Sequence, residues 1–453
     1  MNWARAIGAS AESAGAAGAV GWSGGPPGIN LPLLRNHNAA LVLDLLRTAG
    51  EDGISRVELA ERTGLTPQAV SKITARLREE GLITEAGRRA STGGKPRTDL
   101  RLVPSAAYAV GVQLDRDEMT AVLLDLSCTQ VATRAVSADL GAGPDVVTGQ
   151  VVEQVRALLA DALAKSRAEA GNLLGGAAVS AEDTATGQDA HPGAETQAGA
   201  EAFGETGADA GETADAAGEV DSGEEARPEQ KAGARVLGVG VAMPGPLDHR
   251  AGMPHRVTGY PEWDGYPLRD RLAEVLRLPV VLDKDTNAAA LGLMLRGEGG
   301  SFAYLHLGTG IGAGLVLDGT LYRGARTEAG EFGHQVVQLD GALCACGKRG
   351  CIEAMCLAAL ARGDVTEAAR VLGVGVANLA ELLDIDQVLL GGRFMAAAEG
   401  EFMRGVRSAI VSRSPVLVAP AGGGAYRVAE GAAQLVLAPV FGRAEVSYVS
   451  HPA

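Results

Sequence analysis

GEFGHQVVQLDGALCACGKRGCIE, residues 330–353, sets one histidine and three cysteines in the pattern His334-x9-Cys344-x-Cys346-x4-Cys351. Three thiolates and one imidazole complete a tetrahedral shell and leave no position for an activated water. The spacing therefore predicts a structural Zn2+ that pins a loop. The cysteine total is five, an odd number, and the N-terminus shows no export signal, so a disulfide framework is not expected and a reducing compartment is. Cys128 and Cys356 fall outside the pattern and read as small core residues. Glu331 and Glu353 flank the ligand set. A metal there holds both carboxylates in one place, where they become acceptors for sugar hydroxyls. The alternative for each is a solvated surface position.

The surrounding sequence reads as strands ending in turns. Gly238–Asp248 (GVGVAMPGPLD) is a short apolar strand followed by a Pro/Gly turn. Val280–Gly292 (VVLDKDTNAAALG) is a buried strand that meets a helix at Asp283, Asp285 and Asn287. Phe302–Gly324 gives two strands joined by the glycine-rich turn Gly308–Gly312. Such a turn can present backbone N–H groups to an anion, although tight hairpins need glycine too.

The chain has 453 residues, 46% apolar and only 4% aromatic, enough for two or three domains. No run of about 18 apolar residues suggests a membrane span, and a cytoplasmic location is expected. The net charge of −15 argues against a nucleic-acid partner until its distribution is considered. Arg167–Ala232 holds 15 acidic and 3 basic residues, whereas Thr66–Arg101 holds 8 basic and 4 acidic ones. A local basic face is what phosphates meet. The acidic stretch, residues 167–232, is low in large apolar side chains and is predicted to be a disordered insertion. It lies between a helix at Val151–Lys165 and a strand at Arg235–Val241. Residues 1–34 read as a disordered tail, 35–104 as one domain and 105–453 as a second, interrupted by that insertion.

Within the first domain, Ile54–Ile83 reads ISRVELAERTGLTPQAVSKITARLREEGLI. Ser55 and Glu58 predict a capping box, and Gly64 a stop. Thr66 caps a second helix with Pro67 in its first turn. Val70, Ile73 and Leu77 form that helix's buried face, and Gln68, Ser71, Lys72 and Arg76 project outward. A hairpin follows, with a basic tip that includes Lys95 and Arg97. Two capped helices and a basic hairpin predict a winged helix-turn-helix, its second helix in the major groove and its wing in the minor groove of double-stranded operator DNA.

Taken together, AMPGPLD, WDGYPL, DKDTNAA, LGTGIGAGLVLDG, GEFGH, CACGKRGCIE and GVANLAELLDIDQVLLGGR resemble the ROK family (repressors, open reading frames and sugar kinases), in its regulator branch. The resemblance runs from about Asn36 to the C-terminus, apart from the insertion. It implies an α/β fold: a winged helix-turn-helix followed by an actin-like, ribonuclease-H-like two-lobed sugar-kinase-type domain. Family sugar contacts fall by position on Asp285, Glu331, His334 and Glu353, and zinc ligands on His334, Cys344, Cys346 and Cys351. In kinase members the acid matching Asp285 is the catalytic base.

Three departures from the kinase pattern are visible. The turn Leu114-Asp115-Arg116-Asp117-Glu118-Met119-Thr120 lacks the glycines of the family's first phosphate loop, and its acids would repel ATP. Lys284 stands where an Asn usually precedes the catalytic Asp, which points to an altered sugar choice, towards an anionic ligand; Lys284 could equally pair with Asp283. The segment from Glu353 to a helix at Gly373–Leu383 is shorter than in kinases, so part of the cover over the cleft is expected to be missing. The reading is a transcriptional repressor of carbohydrate-metabolism genes that senses a sugar, bound by Lys284, Asp285, Glu331, His334 and Glu353, without catalysis. It acts as a homodimer or homotetramer. An active ATP-dependent sugar kinase with an attached DNA module, and a ligand-free regulator whose second domain only oligomerises, are the alternatives.

Overall fold

A computed structural model describes residues 31–89, 97–182, 235–410 and 416–443. Residues 1–30 of the tail, the wing tip with Lys95, and residues 183–232 of the acidic segment lie outside the described residues, as does the side chain of Arg97; residues 31–34, expected to belong to the tail, instead form the start of the first helix. Among the described residues, no helix is long and apolar enough to cross a membrane.

Helix α1 (Leu31–Ala49) is followed by strand β1 (Ile54–Ser55), helices α2 (Arg56–Thr63) and α3 (Pro67–Glu79), and strands β2 (Ile83–Arg89) and β3 (Arg97–Leu102). The caps are those expected. Ser55 Oγ accepts from the Glu58 backbone N–H at 3.3 Å, and Thr66 Oγ1 from that of Ala69 at 3.2 Å. The Glu58 carboxylate does not complete the box, because it pairs one turn on with Arg62 at 2.6 Å. Val70 and Leu77 are buried and Ile73 partly so; Thr74 joins them by donating to the Val70 carbonyl at 2.9 Å. β3 lies between β1 and β2 in a three-stranded sheet. This is a winged helix-turn-helix.

The first lobe of the larger domain starts with β4 (Tyr108–Leu114), β5 (Glu118–Asp125) and β6 (Gln130–Ser137), then α4 (Pro144–Glu182). It continues with β7 (Val236–Met243), the short pair β8 (Leu247–Asp248) and β9 (Met253–Pro254), α5 (Leu268–Leu276), β10 (Val280–Lys284) and α6 (Asp285–Leu295). β4 pairs in parallel with β7, Gly111 opposite Gly240, so chain on both sides of the acidic segment builds one sheet. α4 runs past its expected end at Lys165 to Glu182. The change in composition after Lys165 was a weaker signal than the Ala, Arg, Glu and Leu residues that still favour helix.

The second lobe holds β11 (Phe302–Leu307), β12 (Ile311–Leu317), β13 (Thr320–Tyr322), α7 (Ile352–Ala361), α8 (Val365–Leu383), β14 (Gln387–Gly391), α9 (Arg393–Ala397), α10 (Glu399–Ala409) and β15 (Leu417–Pro420). α8 starts earlier than the Gly373 expected, because Asp364 caps it by accepting from the Glu367 N–H at 3.0 Å. The sheet orders are β6-β5-β4-β7-β10 and β13-β12-β11-β14-β15. Each is an antiparallel meander whose first strand continues into parallel ones, the ribonuclease-H-like arrangement repeated once.

Helix α11 (Arg427–Leu437) returns to the first sheet. A Cβ on Gly431 would stand 2.0 Å from the Ala288 carbonyl, and one on Gly240 1.8 Å from that of Ala432. α11 thus touches α6 and β7 backbone to backbone. One hydrophobic cluster runs from Leu43, Leu46 and Leu59 of the winged helix to Ala109, Ala432 and Phe441. At this seam the Arg47 guanidinium lies 5.2 Å from the Phe441 ring centroid. Buried Asp44 accepts from Arg47 Nη2 at 2.8 Å and from Arg443 Nε at 3.0 Å.

Candidate functional site

The pocket between the lobes collects residues from the ends of strands and the starts of helices. Asp285 is the first residue of α6, and its Oδ1 accepts from the Thr286 N–H at 2.7 Å. Enclosure by protein pushes its pKa up to about 7; the Thr286 hydrogen bond opposes this, the charge on Asp115 adds to it, and Lys284 opposes it. Lys284 has its side chain only 3% exposed. Its ammonium donates to the Ala329 carbonyl and reaches Glu331 Oε1 at 3.3 Å. It does not pair with Asp283, whose carboxylate is taken by Arg323 Nε at 2.7 Å and Asn287 Nδ2 at 2.8 Å.

Glu353 sits in the first turn of α7, buried, and its Oε2 accepts from the Ile311 N–H at 2.8 Å. That bond holds the glycine-rich turn between β11 and β12. His334 ends a short 3-10 turn, Phe332–His334, and lines the same pocket. The pocket thus brings Lys284, Asp285, Glu331, His334 and Glu353 together as expected.

His334, Cys344, Cys346 and Cys351 place their ligand atoms within 4.8 Å of one another. His334 Nδ1 is 3.6 Å from Cys344 Sγ, and Cys346 Sγ is 3.7 Å from Cys351 Sγ. A tetrahedron with metal–sulfur bonds of about 2.3 Å has edges of about 3.8 Å, so the four atoms fit a metal ion. A metal bound through Nδ1 would leave Nε2 of His334 for the pocket. Of the two other cysteines, Cys356 is a core residue, whereas Cys128 is only partly buried, in the β5–β6 turn.

A second, larger cleft of about 520 Å³ lies beyond, and Asp115 and His306 line both. His306 is enclosed and its pKa is depressed by desolvation to about 4, so it is neutral, bonded through Nδ1 to the Tyr304 hydroxyl at 2.9 Å. On the wall of the larger cleft, Arg393 at the start of α9 donates to Asp115 Oδ2 at 2.9 Å and to Asp117 Oδ1 at 2.7 Å. The Thr309 hydroxyl donates to Asp115 Oδ1 at 2.8 Å. The first-lobe turn that lacks glycines is thus tied to the second lobe by ion pairs. Sequence reasoning missed Arg393, although it stands in the quoted segment ending LLGGR. It also assigned Asp117 only repulsion, when the Arg393 hydrogen bond lowers its pKa and keeps it charged and paired.

In the winged helix, Gln68, Ser71 and Lys72 are exposed on α3. Arg76 is half-buried, with Nε 3.6 Å from Glu80 Oε1.

Residues 225–362 match the family described as ROK, and residues 41–84 the winged helix-turn-helix DNA-binding family. The chain is 24% identical over 430 residues to the xylose repressor of Caldicellulosiruptor bescii, covering 85% of this chain and 90% of that one. It is 32% identical over 207 residues to the kanosamine kinase of Amycolatopsis mediterranei, covering 39% of this chain and 67% of that one. Against the glucokinase of Halalkalibacterium halodurans it is 37% identical, but the match spans only 44% of that enzyme and 30% of this chain. The crystal structure of a ROK family transcriptional regulator, a homologue of the Escherichia coli MLC protein, shares the fold with a TM-score of 0.64 at 18% identity, over 90% of this chain and 97% of that one.

Proposed function

The chain belongs to the ROK family and carries a winged helix-turn-helix ahead of the family domain, and on that basis we propose that it is a DNA-binding, sugar-responsive transcriptional repressor whose kinase-type domain senses without catalysing. The observation that carries the non-catalytic part is the ion-pair cluster of Arg393 with Asp115 and Asp117. Phosphoryl transfer needs donors and close backbone around the nucleotide's phosphates. This turn offers carboxylates, already held by an arginine of the opposite lobe. Relatives named as repressors that match along most of the chain support the regulatory part.

In this reading Glu331, Glu353, Asp285 and His334 receive the hydroxyls of a sugar, with Lys284 orienting Glu331. His334, Cys344, Cys346 and Cys351 hold Zn2+, which with four protein ligands is structural and fixes Glu331 and Glu353 relative to each other. Gln68, Ser71, Lys72 and Arg76 on α3, with Lys95 and Arg97 of the wing, meet operator DNA inside the cell. Two-fold half-sites call for a homodimer or a dimer of dimers.

The test is operator binding by the full chain with and without a panel of sugars. A sugar that changes operator affinity supports sensing; operator binding indifferent to every sugar removes it. A second reading, an active sugar kinase, is favoured by Asp285, whose raised pKa suits a general base. ATP consumption dependent on a sugar and abolished by Asp285→Asn would establish that reading instead.

A further inference from the structure

Residues 323–331 join β13 to the 3-10 turn Phe332–His334. Both ends of this loop belong to the second lobe, where the Gly330 carbonyl accepts from the Ala313 N–H of β12 at 2.8 Å. Between its ends the loop reaches the first lobe at three points. Arg323 Nε donates at 2.7 Å to Oδ2 of buried Asp283, on β10. The Thr327 hydroxyl and His249 Nδ1, just beyond β8, share a hydrogen bond at 2.6 Å. Lys284, the last residue of β10, donates to the Ala329 carbonyl and reaches Glu331. A Cβ on Gly245 would stand 2.6 Å from Lys284 Cδ, so glycine at 245 leaves the room that the buried lysine stem occupies.

Thr327 makes its contact at a cost. Its φ is 60°, in the left-handed region, although the residue is β-branched and buried. Such a residue stays in that region only where its surroundings hold it there. The loop thus combines strained backbone with three fastenings, and it ends on Glu331, a carboxylate of the inter-lobe pocket. A strained segment held by a few side-chain bonds has a second position open to it, in which those bonds are broken and the strain is relaxed.

We propose that residues 323–331 form a latch with two positions. Engaged, Arg323, Thr327 and Lys284 fasten the loop to the first lobe and position Glu331 in the pocket. Released, Thr327 relaxes and Glu331 withdraws. A ligand that bonds Glu331 in only one of the positions shifts the balance between them. That last step rests on the sugar-sensing reading; the latch itself does not.

Hydrogen exchange read at single residues of the full chain, with no sugar added, tests the latch. Two N–H groups report on it: that of Ala329, which donates to the Arg323 carbonyl at 3.2 Å, and that of Ala313, which donates to Gly330. Arg323→Gln removes one charge-assisted bond and should speed exchange at both by roughly tenfold, leaving the parallel β4–β7 ladder unchanged. Lys284→Met should do the same from the other end of the loop. Thr327→Asn suits left-handed backbone and keeps a polar group towards His249, and should slow both by roughly threefold. Exchange that rises at only one of the two groups in Arg323→Gln, or rises equally in the β4–β7 ladder, would overturn the proposal. So would Thr327→Asn leaving both rates unchanged or faster. Should Arg323→Gln and Lys284→Met fail to fold, the Thr327→Asn result decides alone. Sugar-dependent operator binding is a separate measurement, so either reading can fail without the other.

Discussion

Arg47 Nη1 donates to the backbone carbonyl of Leu295 at 3.1 Å. Leu295 is the last residue of α6, and Asp285 in the pocket is the first. One helix of eleven residues, about 16 Å long, therefore spans from the pocket to the helix that anchors the DNA-binding domain. If α6 carries the signal, Arg47→Ala should leave sugar and operator each able to bind but shrink the effect of one on the other. Coupling is commonly about 5- to 150-fold; fluorescence anisotropy with labelled operator, with and without sugar, should show it falling towards one. Undiminished coupling would exclude this contact as the link.

Asp44 is buried between Arg47 and Arg443. Asp44→Ala leaves Arg47 without its anion at the seam and should destabilise the protein by about 2 kcal/mol. Arg443 is half exposed and adds little to that figure. Urea denaturation of the variant beside the parent measures the difference.

For the metal cluster, Cys346→Ser should lower zinc content from near one ion per chain and lower the melting temperature. Chelator should do the same to the parent and nothing further to the variant. A parent whose metal analysis finds no zinc would refute the assignment.

Asp285 gives a pH dependence of definite sign. Its folded pKa, about 7, lies above the usual carboxylate value near 4. The folded state thus holds a proton that the unfolded state has released, and this residue's contribution to stability falls as pH rises from about 4 to 7. Three pH units correspond to a ceiling of about 4 kcal/mol, reduced by whatever pocket water reaches the carboxyl. Asp285→Asn keeps an acceptor for the Thr286 N–H and should flatten that part of the curve. Denaturation midpoints at pH 5 and pH 8 for both proteins provide the check.

On the DNA side, Lys72→Ala should weaken operator binding and reduce the slope of log affinity against log salt by about one. Gln68→Ala should leave the slope alone and relax the preference among bases.

How legible all this was in the sequence depends on how local each signal is. The caps at Ser55 and Thr66, the Cys/His spacing and the strand-to-helix junction at Asp285 each occupy a few consecutive residues with a fixed chemical meaning, and the structure brings each together as read. The helix starting at Val365 begins earlier than the Gly373 expected, although Asp364 and Glu367 carry a cap signal; the glycines at 373 and 375 lie inside it, buried against Val406 and Phe332, where a neighbour comes close. Arg116, Arg393 and Arg47 could not be assigned from sequence. Each acts on a partner about 190 to 280 positions away, and no periodicity encodes such a pairing.

The shared core across the seam bears on how the genome would be measured. A reader joined to its sensor by packed side chains is one leg of a caliper, and in the proposed dimer a second copy would supply the other leg. The gap between two half-sites would then be set by protein rather than by a pliable tether. About five base pairs inserted between them, half a helical turn, would carry one half-site to the far face of the duplex, beyond the second leg's reach.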